Sequence, residues 1–125
     1  MVRLRRRDSP MSYRLCVQTV TLYHRGDGDE ITRRVVEQGA FLDFKKVQDV
    51  SKTGSREANS FLLVIPCGEI FVFPGDKVLP GVGPELQGRE AWAGFIPSRV
   101  PGLAVVKYVD PKYWRGRLVH VEAGG

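Results

Sequence analysis

The chain has 125 residues, 42% of them hydrophobic, a net charge of +5 and two cysteines. That length allows one domain with a modest core and leaves no room for a second. No apolar run nears the roughly 20 residues of a membrane helix, and the early arginines precede no apolar stretch, so neither a spanning helix nor an ordinary secretory signal is expected.

The charge is uneven. Arg3, Arg5, Arg6 and Arg7 crowd the start, and Met11 follows shortly after. Residues 1–14 therefore read as a disordered basic arm ahead of a single domain over residues 15–125. The arm is either an extension upstream of an authentic start at Met11 or a segment that touches nucleic acid or an acidic partner. The remaining chain is close to neutral, which weakens any charge argument for nucleic acid.

Residues 19–23, Thr-Val-Thr-Leu-Tyr, alternate cleanly and put Val20 and Leu22 on one face of a strand. Leu15 and Val17 carry the opposite parity, so the strand bulges near Gln18 or starts at Thr19. His24-Arg25-Gly26-Asp27-Gly28-Asp29 supplies the residues of a flexible hairpin turn. A return strand over residues 31–37 places Ile31, Arg33 and Val35 together. Gly39 then breaks the chain before a strand carrying Ala40, Leu42 and Phe44.

From residue 45 to residue 60 the alternation disappears, and Lys52, Gly54, Ser55, Arg56 and Asn59 mark a long exposed loop. The apolar run 61–65 ends at Pro66, as in a strand covered on both sides. Pro74-Gly75-Asp76 forms a turn before Lys77-Val78-Leu79. Residues 80–102 are rich in proline and glycine and read as an extended connection with one apolar segment, residues 91–96. Two last strands, 103–109 and 117–121, are joined by a turn at Asp110-Pro111-Lys112. No stretch sustains a helical period. The fold class is all-β, a small partly closed β-barrel with long loops, because closure removes exposed edges.

Catalytic signatures are absent: there is no Walker loop, dinucleotide fingerprint, HExxH or GxSxG. His24 falls in a turn, and His120 beside Val119 and Val121 reads as a structural histidine. Cys16 and Cys67 belong to no CxxC or CxxH pair and are expected as two buried thiols in a reducing compartment. Asp27, Asp29 and Glu30 lack the spacing of a calcium loop and read as a solvated acidic turn. No metal, no cofactor and no enzymatic activity are expected. Phe71, Phe73, Trp92, Tyr108, Tyr113 and Trp114 are assigned to the core and to subunit contacts. Aromatics interleaved with lysines on an OB-like barrel would instead bind single-stranded nucleic acid, the alternative reading.

The order of features carries a resemblance. Thr-Val-Thr-Leu-Tyr-His-Arg opens the domain, followed by a polar turn and the passage from Val35-Val36 to Gly39-Ala40-Phe41. Asn59 precedes an apolar strand closing in Ile65-Pro66, then come Pro74-Gly75-Asp76-Lys77-Val78 and Gly81. Leu118-Val119-His120-Val121-Glu122-Ala123-Gly124 ends the chain. From Thr19 onward this resembles the minor capsid or head-completion proteins of tailed phages and prophages, the stopper-type head–tail connectors. The arginine-rich start and the expanded 80–102 connection depart from that pattern.

The resemblance implies a β-barrel subunit of a dodecameric ring in the virion neck, made in the host cytoplasm. The ring seals the head below the portal and docks the tail. Its partners are copies of itself, a portal or adaptor protein, a tail terminator or tail tube protein, and passing double-stranded DNA, with no membrane. Two site expectations follow. Lys45, Lys46, Lys52 and Arg56 either face the channel and its DNA or belong to an ordinary solvated loop or a subunit contact. Trp92, Phe95 and Ile96, apolar residues among prolines, form a subunit contact unless Trp92 caps one end of the barrel.

Overall fold

Along the chain come β1 (Gln18–Arg25), β2 (Ile31–Asp49), β3 (Arg56–Pro66), β4 (Lys77–Pro80), α1 (Arg89–Gly94), β5 (Ala104–Val105), β6 (Tyr108–Trp114) and β7 (Arg117–Gly124). The structure is a computed structural model that describes residues 12–49 and 56–125, apart from the side chains of 46–49 and 56–59. The basic run Arg3–Arg7 and Met11 lie outside the described residues. Tyr13 already bonds to His120, so the segment from Ser12 belongs with the domain.

All strand pairings are antiparallel, in the order β5-β4-β1-β2-β3-β7-β6. The outermost strands, β5 and β6, are consecutive in sequence, with Val106 and Lys107 alone between them. In a flat sheet six strand spacings would part them by about 29 Å. Three Cα steps reach at most about 11 Å, so the sheet has to curl. It does, into a half-barrel; among the described residues strands predominate and one short helix is present. The seam is tied by Val106 N–H to Asp76 O at 2.8 Å, Gly75 N–H to Val106 O at 2.8 Å and Lys107 N–H to Gly124 O at 2.7 Å.

Alternation fills the interior. Val20 and Leu22 of β1, Ala40 and Leu42 of β2, Phe61, Leu63 and Ile65 of β3, and Val78 of β4 form one buried cluster with Val72 and Val106. Each such side chain contributes about 2 kcal/mol by leaving water. The opposite face of β1 is covered as well: Thr21 and Tyr23 are fully buried beneath residues 81–103.

The bulge expected near Gln18 is present, because Gln18 pairs with Ala40 while Val20 pairs with Val36. The surplus residues lie on β2, where Gln38 takes a φ of 50° and its N–H donates to the Thr19 hydroxyl at 3.0 Å. Gly39 therefore does not end a strand. β2 is one bent strand whose first half pairs with β1 and whose second half pairs with β3.

Two further expectations are corrected. Residues 45–49 and 56–60 are not loop but the far end of the β2–β3 hairpin, paired from Lys45↔Ser60 to Asp49↔Arg56. Asp110-Pro111-Lys112 is not a turn; it lies inside β6, at the margin of the sheet, where a proline without an N–H is tolerated. The turn is Arg115-Gly116, with φ of 54° and 78°, the two positive values a type I′ hairpin needs. Arginine in that backbone region costs about 1 kcal/mol that glycine or asparagine would not.

Candidate interaction surfaces

Trp92, Phe95 and Ile96 lie on a strap, residues 81–103, folded over the outer face of β1. Side chains from the sheet hold its backbone. The Thr21 hydroxyl donates to Gly81 O at 2.7 Å and accepts from Gly83 N–H at 2.9 Å. Tyr23 O–H donates to Pro84 O at 2.6 Å, and the Arg33 guanidinium donates to Gly83 O from Nε at 3.0 Å and a terminal nitrogen at 2.6 Å. Burial pushes the Tyr23 phenol up, against the opposing pull of Arg33.

Lys77 closes the other half of the strap. It is buried, and its ammonium donates to the carbonyls of Trp92 and Phe95, both at 2.7 Å, while lying 4.2 Å from the Trp92 ring centroid. Desolvation holds its pKa below the usual lysine value. These carbonyls belong to the last turn of α1, where a cation complements the helix dipole. Phe95 is 6% exposed and meets Tyr23 edge-on at 4.8 Å, so it belongs to an internal cluster instead of a surface open to a neighbour. Trp92 is half-buried on that cluster, and Ile96 is also half-buried.

The expected DNA-facing residues lie at the far end of the β2–β3 hairpin. Lys45 and Lys46 are on β2 and Arg56 is on β3, whereas Lys52 lies outside the described residues. β1 pairs with β2 as far as Ala40, and β7 pairs with β3 from Leu62 to Pro66. From the Phe44↔Phe61 pair outward, among the described residues, no third strand pairs with the hairpin, which leaves a two-stranded ribbon. Such a ribbon is marginal in water by itself and offers its edges to another chain. At its root Phe44 is 43% exposed, tilted against buried Phe61 at 6.2 Å.

Both histidines are tied down. His24 is not in the turn; it lies in β1 and donates from Nδ1 to Asp76 Oδ1 at 2.6 Å. Asp76 is 2% exposed, and its other oxygen accepts Phe73 N–H at 2.9 Å. Burial raises the Asp76 carboxyl above its ordinary value, although His24 and the Phe73 amide favour the charged form. His120 is buried, with Nδ1 at 2.8 Å from the Tyr13 hydroxyl and Nε2 at 3.0 Å from Glu122 Oε2. No thiol reaches it. Cys16 touches Val64 O at 4.0 Å, and burial raises both thiols and disfavours the nucleophilic thiolate. Asp29 pairs loosely with Arg89 at 3.4 Å, and among the described residues no three His, Cys, Asp or Glu side chains gather closely enough to hold a metal.

The β6–β7 tip is the surface the sequence reading passed over, since it placed the turn three residues too early. Tyr113 is 61% exposed, the exposed Arg115 guanidinium lies 5.6 Å from the Trp114 ring centroid, and Gly116 and Arg117 are exposed. Trp114 Nε1 is the one buried side-chain polar atom without a hydrogen-bond partner among the described residues. Among the described residues no helix is long and apolar enough to cross a membrane. Compared with protein-family models, curated proteins and solved structures, the chain finds no match.

Proposed function

We propose that this chain is a structural subunit of a ring at the head–tail junction of a tailed phage or prophage particle, sealing the head below the portal and docking the tail. The observation that carries the reading is the β2–β3 ribbon, which among the described residues extends past the sheet with no third strand on either edge from Phe44 and Phe61 outward. A two-stranded ribbon gains its stability from whatever covers it. In a ring every subunit has a neighbour on each side, and contacts between unlike faces close the circle. The order of sequence features from Thr19 to Gly124 supports the same reading, and so does the way both histidines and the Cys16 thiol are occupied with structural contacts.

The test is assembly on a platform. The purified chain alone should sediment as a monomer. Mixed with portal-bearing, DNA-filled heads that lack a neck, it should join them as a ring visible by electron microscopy. A chain that never associates with such heads, at concentrations where neighbouring neck proteins do, is not a connector subunit.

A further inference from the structure

We propose that the tip of the β6–β7 hairpin, Tyr113 to Arg117, is a contact site for the sugar-phosphate backbone of a nucleic acid. The inference is independent of ring assembly, and the isolated chain tests it.

Three observations converge on the tip. First, its exposed polar chemistry is that of donors: among the described residues the Arg115 guanidinium makes no contact beyond the Trp114 ring, and residues 113–119 include no carboxylate. The acidic groups nearest in sequence are already engaged, Asp110 with Lys112 at 2.9 Å and Glu122 with His120. A surface of donors fits a ligand of acceptors, and phosphate is the strongest such partner for arginine.

Second, Arg115 occupies a left-handed position, φ 54°, in a tight turn where glycine or asparagine is the usual residue. Its backbone is strained there, and the turn places the exposed guanidinium at the apex of the hairpin, 5.6 Å from the centre of the half-buried Trp114 ring.

Third, Tyr113 is 61% exposed, and Trp114 carries Arg115 stacked above it. An exposed ring and an exposed guanidinium two residues apart on one hairpin tip offer stacking to a base and charge to a phosphate. Such a site reads no sequence. It favours a single strand, whose bases are free to stack, and it also touches duplex through phosphate alone.

The experiment uses fluorescently labelled single-stranded and duplex oligonucleotides of mixed sequence, with binding followed by anisotropy between about 50 and 200 mM salt. The full chain is compared with a version in which Arg3, Arg5, Arg6 and Arg7 are glutamine, so that the arm does not mask the tip. In that background Arg115→Gly relieves the backbone, and the melting temperature should hold or rise. Its affinity should fall several-fold, and the slope of log affinity against log salt should shrink by about one. Arg115→Lys should restore the slope, and Tyr113→Thr should weaken single-strand binding more than duplex binding. Unchanged affinity and slope in Arg115→Gly would overturn the assignment. So would an affinity loss that tracks a lower melting temperature, or a wild-type tip that binds anionic phospholipid vesicles and no oligonucleotide.

Discussion

The ammonium of Lys77 sits 4.2 Å from the centre of the Trp92 ring and donates to Trp92's own carbonyl at 2.7 Å. One strand residue thus grips both the side chain and the backbone of the strap. Because the carbonyl of Phe95 is held by the same ammonium, the short helix between residues 89 and 94 has its C-terminal end fixed to β4. This contact shifts the expected role of Trp92 from a neighbouring subunit to the stability of its own chain.

Trp92→Ala should therefore destabilise the isolated chain. Truncating a half-buried tryptophan that roofs Tyr23, Phe95 and Leu103 removes apolar burial and the cation–π contact, at about 2 kcal/mol. For a chain of this size that corresponds to a fall in Tm of about 8 °C. Thermal unfolding followed by circular dichroism checks it. An unchanged Tm with lost particle incorporation would return Trp92 to the subunit interface.

Asp76 makes stability depend on pH. Its folded carboxyl is raised above the ordinary aspartate value, first by burial. The folded state therefore binds the proton more tightly than the unfolded chain does. This contribution is fully present below the ordinary aspartate pKa and is lost as pH rises through the folded value. Asp76→Asn removes it while keeping an acceptor for Phe73 N–H. Urea unfolding from about pH 4 to pH 7 should show wild type losing stability relative to the variant as pH rises. The opposite trend would mean that the His24 bond outweighs burial.

Much of the barrel was legible because its strands obey a period of two where one face is buried. Val20 and Leu22, or Phe61, Leu63 and Ile65, announce themselves that way. The outer ribbon did not, since a strand pair that extends past the sheet is under less pressure to alternate. Asp110-Pro111-Lys112 misled because proline signals a turn everywhere except at a sheet margin. Lys77 and Asp76 gave no signal, as their partners are backbone groups and a histidine 52 residues away. The strap did leave one: Trp92, Phe95 and Ile96 stand at i, i+3 and i+4, the spacing of one helical face.

Tyr13→Phe should loosen the segment that precedes β1. The substitution keeps the ring, which meets His120 edge-on at 5.4 Å, and deletes the hydroxyl that lies 2.8 Å from His120 Nδ1. A buried ring nitrogen is left without its partner, at about 1–2 kcal/mol. Amide hydrogen exchange should quicken around residues 12–17 and in β7 near His120, with the β2–β3 pairing unaffected. Exchange that is unchanged in both places would show the segment to be held by something other than this bond.

The last prediction concerns the ribbon's charge. Lys45, Lys46 and Arg56 lie on β2 and β3 beyond the last residues that β1 and β7 pair, and Lys52 falls between the two strands in sequence. Lys45, whose side chain is described, is exposed and belongs to neither buried cluster. Replacing all four by glutamine should thus leave the Tm of the isolated chain nearly unchanged, as surface substitutions away from the core usually stay within about 0.5 kcal/mol. The consequence is expected in the assembled particle. If the ribbon faces the channel, its cations sit against DNA phosphates, and their loss weakens retention of packaged DNA most at low salt, where the wild-type contacts are least screened. Heads completed with the glutamine variant should leak DNA at low salt, where wild-type particles hold it, and the two should converge as salt rises. Particles that incorporate the variant fully and still hold their DNA would place the ribbon on a neighbouring subunit, its open edges covered by protein and its charges without a part in retention.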